Sequence, residues 1–329
     1  ATKVRTHTYG DSTLDPASLA VERVHATSLG ARLLASRPVG GGVDAIGSLH
    51  VDSDQGYVDR DPDPIGGRST IAEAATGVEL RRGALSADAA AGVAVPLDTG
   101  ADPWPEAKAA VKYRLWKMRL QPRLVAGYKG RLPELRERYD ASIGNQAVGP
   151  EKVGFGEIGL LLDHSDWAEV DVSGFYRRTN GLIRLSPDNS MLVNIGRVTV
   201  KGIDARLTVF PYRRVRGGAS VELLDAGSPQ LGENPIDRMA ERRGDVWVEG
   251  RWRRLRGLVR ARYIGEMIDQ GTTLPDYGLV DASSYLVIND ELSASLRVDN
   301  LLDERYLDRA SGVRGSGRSA MLSLQGIWE

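Results

Sequence analysis

Through the C-terminal half of the chain, apolar and polar side chains alternate with few breaks. The clearest run is LSASLRVDN (292–300), where Leu292, Ala294, Leu296 and Val298 face one way and Ser293, Ser295, Arg297 and Asp299 the other. That two-residue period is the mark of a strand with unlike faces. The beat recurs over 117–128, 167–177, 203–210, 244–252, 256–264 and 318–328. Such segments are about the 9–11 residues a tilted strand needs to cross a bilayer, whereas strands of soluble sheets are usually about 5–6 long. In all, 15 strands are predicted, at 22–35, 44–52, 69–81, 83–95, 106–115, 117–128, 153–163, 167–185, 192–210, 217–224, 241–251, 256–265, 279–288, 291–301 and 317–328. The Ala-rich stretch 86–95 reads equally well as helix, and only the parity of its neighbours makes it a strand. Connections alternate in length. Tight ones fall near Arg81–Gly83, Leu115–Lys117, His164–Asp166, Pro211–Gly217, Arg253–Leu255 and Asn289–Glu291. Long polar ones fall at 52–68, 96–105, 129–152, 225–240, 265–278 and 302–316. Short turns at one end and long loops at the other are the pattern of an outer-membrane barrel, short turns toward the periplasm. The expected fold is all-β: a transmembrane antiparallel up-and-down β-barrel of about 15–16 strands over 22–329, preceded by an irregular segment over 1–21.

Composition by itself suggests something else. A mean hydropathy of -0.28 with 26% charged residues reads as a soluble protein, and a soluble multi-stranded β protein is the competing reading. Averaging two unlike faces produces the same figures, however, because one half of every strand is apolar and the other charged. The longest charge-free runs, 141–150 and 319–328, are 10 residues, too short for a transmembrane helix. With 43 Lys+Arg against 44 Asp+Glu the net charge is -1, which gives no basic excess for a nucleic-acid partner. There is no cysteine, and the four histidines (His7, His25, His50, His164) are scattered. No metal site, cofactor or catalytic residue is therefore expected.

Several motifs are familiar in their order. RLPELRERYD (131–140) is followed by Gly144, Asn145, Pro150, Glu151, Glu157 and Gly159. Asn194, Gly196 and KGID (201–204) come next, then VDNLLDERY (298–306) and the pair Gly317–Arg318. This succession resembles the C-terminal part of the barrel of TonB-dependent outer-membrane receptors, over about residues 106–328. The resemblance implies an outer-membrane receptor that takes up a scarce ligand, most often a ferric siderophore, then cobalamin or an oligosaccharide, without enzymatic chemistry. Its implied partners are the TonB energy-coupling complex, reached through a plug domain, the lipid bilayer with its lipopolysaccharide, a small-molecule metal chelate and another protein chain. Nothing in 1–329 resembles the plug, and about 15 strands fall short of the roughly 22 of such barrels. A fragment, a shortened relative, or a non-transporting structural or partner-binding barrel all fit that shortfall. The family usually ends on an aromatic residue, whereas here Glu329 follows Trp328.

Arginine supplies 36 of the 43 cations. The alternation turns Arg119, Arg123, Arg177, Arg206, Arg251, Arg260, Arg262 and Arg297 inward, beside Glu169, Asp171, Asp204, Asp245, Glu249 and Asp299. Guanidinium forks suit anionic chelates, but the same residues also make ion-pair ladders that solvate a lumen. In the loop at 131–139, Arg136, Arg138 and Tyr139 are the candidate ligand-binding rim, with a purely structural loop as the alternative. The run Asp52, Asp54, Asp59, Asp61, Asp63 superficially matches a calcium loop but lacks its bidentate Glu, so a solvated extracellular loop is expected. GGG (40–42) is expected to be a turn. The basic strings 212–218 and 251–256 are expected to cap periplasmic turns, because no stacking platform accompanies them.

Overall fold

The computed structural model describes residues 3–9, 22–59, 65–140, 142–164, 167–186, 190–229, 232–233, 236, 238–269, 271–308 and 312–326. Its strands are β1 (Lys3–Tyr9), β2 (Glu22–Gly40), β3 (Val43–Asp59), β4 (Ile65–Arg82), β5 (Leu85–Pro96), β6 (Trp104–Tyr113), β7 (Leu120–Arg131), β8 (Glu151–His164), β9 (Ala168–Leu185) and β10 (Leu192–Tyr212). They continue with β11 (Val215–Ser228), β12 (Gly232–Glu233), β13 (Arg242–Trp252), β14 (Leu255–Ile264), β15 (Met267–Asp269), β16 (Thr272–Leu274), β17 (Tyr277–Val287), β18 (Leu292–Asp299) and β19 (Ser319–Gly326). A short α-helix, α1 (Leu135–Tyr139), and a 3-10 turn at Trp116–Met118 interrupt them.

Each of the 15 predicted strands has its counterpart, and the Ala-rich stretch is a strand, β5. Three differences stand out. Lys3–Tyr9, placed by the sequence in an irregular leading segment, is a strand paired along its length with β2. The expected loop 52–68 is largely strand: Asp52 pairs with Ile71 and Tyr57 with Gly66, so the β3–β4 ladder runs well past the predicted boundary. Its small and β-branched residues (Ser53, Thr70, Ser69) keep the pleat, and cross-strand hydrogen bonds such as Ser53–Thr70 (3.0 Å) replace apolar contacts. Finally, β15 and β16 form a small separate hairpin within the predicted 265–278 loop.

The chain separates into two compact units, one of residues 1–112, 125–156 and 177–198, the other of 113–124, 157–176 and 199–329. In the first, β1 to β5 pair antiparallel in chain order. Gly40, Gly41 and Gly42 all take positive φ at the β2–β3 turn, which only glycine does without strain. In the second, β10, β11, β13, β14, β17, β18 and β19 pair antiparallel in chain order. Two-residue turns at 213–214 and 253–254 join β10 to β11 and β13 to β14, as the basic strings predicted.

The register sorts the side chains. Val246, Val248, Val259, Leu286, Leu322 and Leu324 are all more than two-fifths exposed, and they share one face. An apolar sheet face that size left open to water would aggregate; in a bilayer it is the favoured surface. No helix among the described residues is long and apolar enough to cross a membrane. The buried apolar cluster, Ala240, Met267 and Leu274 with Ile264, Tyr277 and Leu307 against it, lies where the β15–β16 hairpin folds onto the long-loop end of β14 and β17.

Candidate functional site

The loop that carries the predicted rim is built around two glutamates. Glu134 caps α1 in a capping box, its backbone N–H donating to Glu137 at 2.7 Å. Arg131, at the end of β7, donates both Nη atoms to Glu137 (2.8 and 2.9 Å) and its Nε to Glu151 on β8 (2.7 Å). Glu151, only 5% exposed, also accepts the backbone N–H of Ile183 on β9 at 2.7 Å. Burial opposes the charge on Glu137, but the Arg131 fork and the Glu134 N–H outweigh it and hold its carboxyl below the usual range. Further along, Asn145 donates to the Leu192 carbonyl (2.8 Å), and Asn194 donates to Gly149 and Gly181 carbonyls (3.0 and 2.7 Å). The motif residues of the middle segment are thus staples that hold a long loop to strand ends.

The predicted rim residues sit in that loop with different surroundings. Arg136 pairs with Asp140 (3.3 Å) and is largely exposed. Tyr139 lies against the backbone of Gly67, where any side chain would collide with its ring. Arg138 sits 5.4 Å from the Tyr139 ring centroid, and its Nε and Nη1 are shielded from solvent with no acceptor.

The last motif works in the same way. Asn300, in the left-handed region at φ 50, donates to the carbonyls of Glu304 (2.9 Å) and Ser316 (3.0 Å) and accepts the Glu304 N–H (2.8 Å). Asp303 accepts the N–H of Arg318 at 2.9 Å. Tyr306 stacks on Tyr277, ring centroids 4.2 Å apart, and covers Gly315.

Beneath this loop lies a cleft the sequence did not single out. It has a volume of about 730 Å³, and its walls include Arg206, Arg243, Arg260 and Arg262 facing Asp204, Glu222 and Asp245, with Tyr263, Met267 and Tyr277 at its edge. Inside it Arg260 pairs with Asp245 (3.2 Å), and Arg262 donates to Asp281 (2.6 Å) while its Nε finds no acceptor. Three of the predicted inward arginines, 206, 260 and 262, are here, and only strand pairing shows that they share one wall. Arg123 instead joins Glu157 (3.0 Å) and Asp171 (2.7 Å) in a closed cluster.

Asp52 and Asp54 lie on β3, and His50 bridges Asp52 (3.1 Å) and Glu73 (3.2 Å). Asp59 ends β3, while Asp61 and Asp63, the last two of the calcium-like run, lie outside the described residues, as do the 165–166 turn and Trp328–Glu329. No metal-holding cluster occurs among the described residues.

An apolar sheet face suited to lipid, short turns at one end of the strands and long stapled loops at the other are the features of outer-membrane β-barrels. The family model "TonB dependent receptor-like, beta-barrel" matches residues 108–301, and the chain belongs to that family. It is 27% identical over 203 residues to the vitamin B12 transporter BtuB of Vibrio cholerae, covering 58% of this chain and 32% of that protein. Its fold is similar to the copper transporter OprC (TM-score 0.80, 12% identity, 96% of this chain and 59% of that one). It is similar also to the ferric-catecholate import receptor Fiu of E. coli K12 (TM-score 0.74, 14% identity, 98% and 59%). The ferric enterobactin receptor PfeA of Pseudomonas aeruginosa gives a TM-score of 0.76 at 12% identity, covering 99% of this chain and 58% of that one. The chain thus spans about a third of the curated relatives and three-fifths of the solved receptors it resembles. The barrel belongs to the bacterial outer membrane, and the relatives are transporters and receptors rather than enzymes.

Proposed function

We propose that the barrel serves TonB-dependent uptake of an anionic metal chelate, a ferric siderophore. The observation that carries this is the charged cleft, which places Arg206, Arg243, Arg260 and Arg262 around about 730 Å³, a volume within the range of small-molecule sites. Guanidinium groups match the carboxylate and catecholate oxygens of such chelates better than they match a neutral sugar. Arg136, Arg138 and Tyr139 supply a second contact region in the loop, where the guanidinium of Arg136 is largely exposed. Copper, ferric-catecholate and B12 proteins among its relatives make the ligand class a matter for direct test. The test uses the complete polypeptide in outer-membrane vesicles, with a ferric tris-catecholate, a ferric hydroxamate and cyanocobalamin as probes. Saturable binding of a ferric chelate, weakened about tenfold by Arg206→Ala and by Arg136→Ala, is the expected result. Binding of cyanocobalamin alone, or of no probe, would overturn it.

A further inference from the structure

At the short-turn end of the second unit, the apolar face finishes in aromatics and arginines. Tyr212 and Trp252 stand on that face with their ladder partners Val215 and Leu255, and are 75% and 66% exposed. The two-residue turns that follow them are both Arg–Arg, Arg213–Arg214 after Tyr212 and Arg253–Arg254 after Trp252. Such turns favour Asn-Gly, because they need left-handed backbone; here Arg253 takes that conformation, at φ 53. Among the described residues, none of the four guanidinium groups has a carboxylate in ion-pair contact, Asp290 and Glu291 of the next turn included. Arg253 lies 5.9 Å from the Trp252 ring centroid, and Arg254 donates to the Ile288 carbonyl at 2.6 Å. β11, β13 and β14 are each paired on both sides, so both turns lie within the sheet and not at its edge.

One row further into the apolar face there are almost no side chains. Gly250 stands opposite Gly257, Ser284 comes next across the ladder, and a Cβ built on either glycine meets nothing within 4 Å. The row beyond is bulky again, Val248 opposite Val259, so the glycines leave a recess about 6.7 Å along the strand from Trp252. In a bilayer such a face meets acyl chains, and its exposed aromatics lie at headgroup depth. Tyr212 and Trp252 therefore set the four arginines at that depth or just outside it, in two turns about 10 Å apart, two strand spacings. Cations placed there without a protein partner are matched by an anion of the membrane itself. A phosphodiester fits, because guanidinium groups bind phosphate oxygens through paired N–H donors, and only a lipid also fills the recess beside Trp252. We propose that the two Arg–Arg turns and Trp252 seat an anionic phospholipid of the periplasmic leaflet, its phosphate on the arginines and one chain in the Gly250–Gly257 recess. The site lies on the outward surface, goes beyond ligand uptake and does not depend on which chelate the receptor carries.

The experiment uses the full chain in phosphatidylcholine nanodiscs that carry a small fraction of phosphatidylglycerol with brominated chains, or the same fraction of brominated phosphatidylcholine. Bromine quenches a neighbouring indole, and the difference between the unaltered chain and Trp252→Phe isolates the quenching at Trp252. Phosphatidylcholine has the same phosphate but brings its own cation, so it is the control for charge. Phosphatidylglycerol is expected to occupy the site roughly threefold to tenfold more strongly at about 0.15 M salt. Arg214→Gln combined with Arg253→Asn is expected to abolish that preference. Both side chains are exposed and without a carboxylate partner, and Asn suits the left-handed position, so the double variant tests binding rather than folding. Arg253→Lys, which keeps the charge, is expected to retain most of the preference. Equal quenching by the two lipids, an unchanged preference in the double variant, or loss of the preference on adding excess inorganic phosphate would each overturn the proposal, the last by making this a site for free phosphate. Chelate binding is not part of the readout, so failure here leaves the uptake reading standing, and failure of uptake leaves this one standing.

Discussion

The α1 loop and the β11–β14 face use the same residue types to opposite ends. In the loop, Arg131 meets two carboxylates, each with a further N–H donor of its own, and the network closes on itself. On the face, Glu249 meets three guanidinium groups and closes nothing. The difference follows from backbone setting. A loop that must be held to β8 and β9 needs each buried charge satisfied, because an orphaned one costs more than the contact returns. On the sheet face Arg216, Arg251 and Arg256 are 46%, 61% and 44% exposed, so hydration offsets their mutual repulsion.

That contrast can be broken at several points. The largest effect is expected at the base of the loop region. Trp104, 1% exposed and packed over Gly130, should cost about 3–5 kcal/mol on truncation to Ala; reversible denaturant unfolding from lipid vesicles measures it. Gly130→Ala should destabilise as well, since a methyl there meets the indole. Next comes the apolar face of the second region. Val248→Arg, near the middle of β13, should cost about 2–4 kcal/mol in the same assay, whereas Ser295→Arg on the polar face should change stability by less than about 1 kcal/mol. Equal costs would mean that the two faces have been assigned wrongly. Within the loop, Glu151→Gln leaves Arg131 without one charged partner and should cost about 1–3 kcal/mol. Circular dichroism melts compared with Arg251→Gln, expected to be near neutral, sharpen the contrast directly.

The smallest effect is one of pH. Burial opposes the charge on Glu137 and Asp140, yet Arg131 and the Glu134 N–H for the first, and the Ser142 and Ile143 donors with Arg136 for the second, hold both below the usual carboxylate range. Depressed folded values mean that their stabilisation is fully present above the ordinary value of about 4 and is lost as pH falls through the folded values. Protease cleavage within 132–150 should therefore rise only at acid pH. A loop equally resistant down to about pH 2 would sink this account.

The alternation in the C-terminal half was enough to place the strands there, since a face that must meet lipid leaves a two-residue period in the side chains. It failed at 52–59 and 65–68, where the β3–β4 ladder continues with polar residues on both faces and no period marks it. Lys3–Tyr9 was missed for a similar reason: KVRTHTY carries polar or charged residues at alternate positions and between them, and its partners in Glu22–Ser28 lie from 13 (Tyr9 and Glu22) to 25 (Lys3 and Ser28) positions away along the chain. Arg136, Arg138 and Tyr139 were found because the motif carries them, but their settings were not readable. One is paired in the open, one has shielded donors without an acceptor, and one is wedged against a glycine from β4.

The sequence by itself determined the strand pattern, the sidedness of the turns and the family, all of which are local or periodic properties of neighbouring residues. Only the tertiary structure decided which charges meet. Arg216, Glu249 and Arg256 come from three strands, and whether an arginine is balanced or in surplus depends on register, which one residue of slip would reverse.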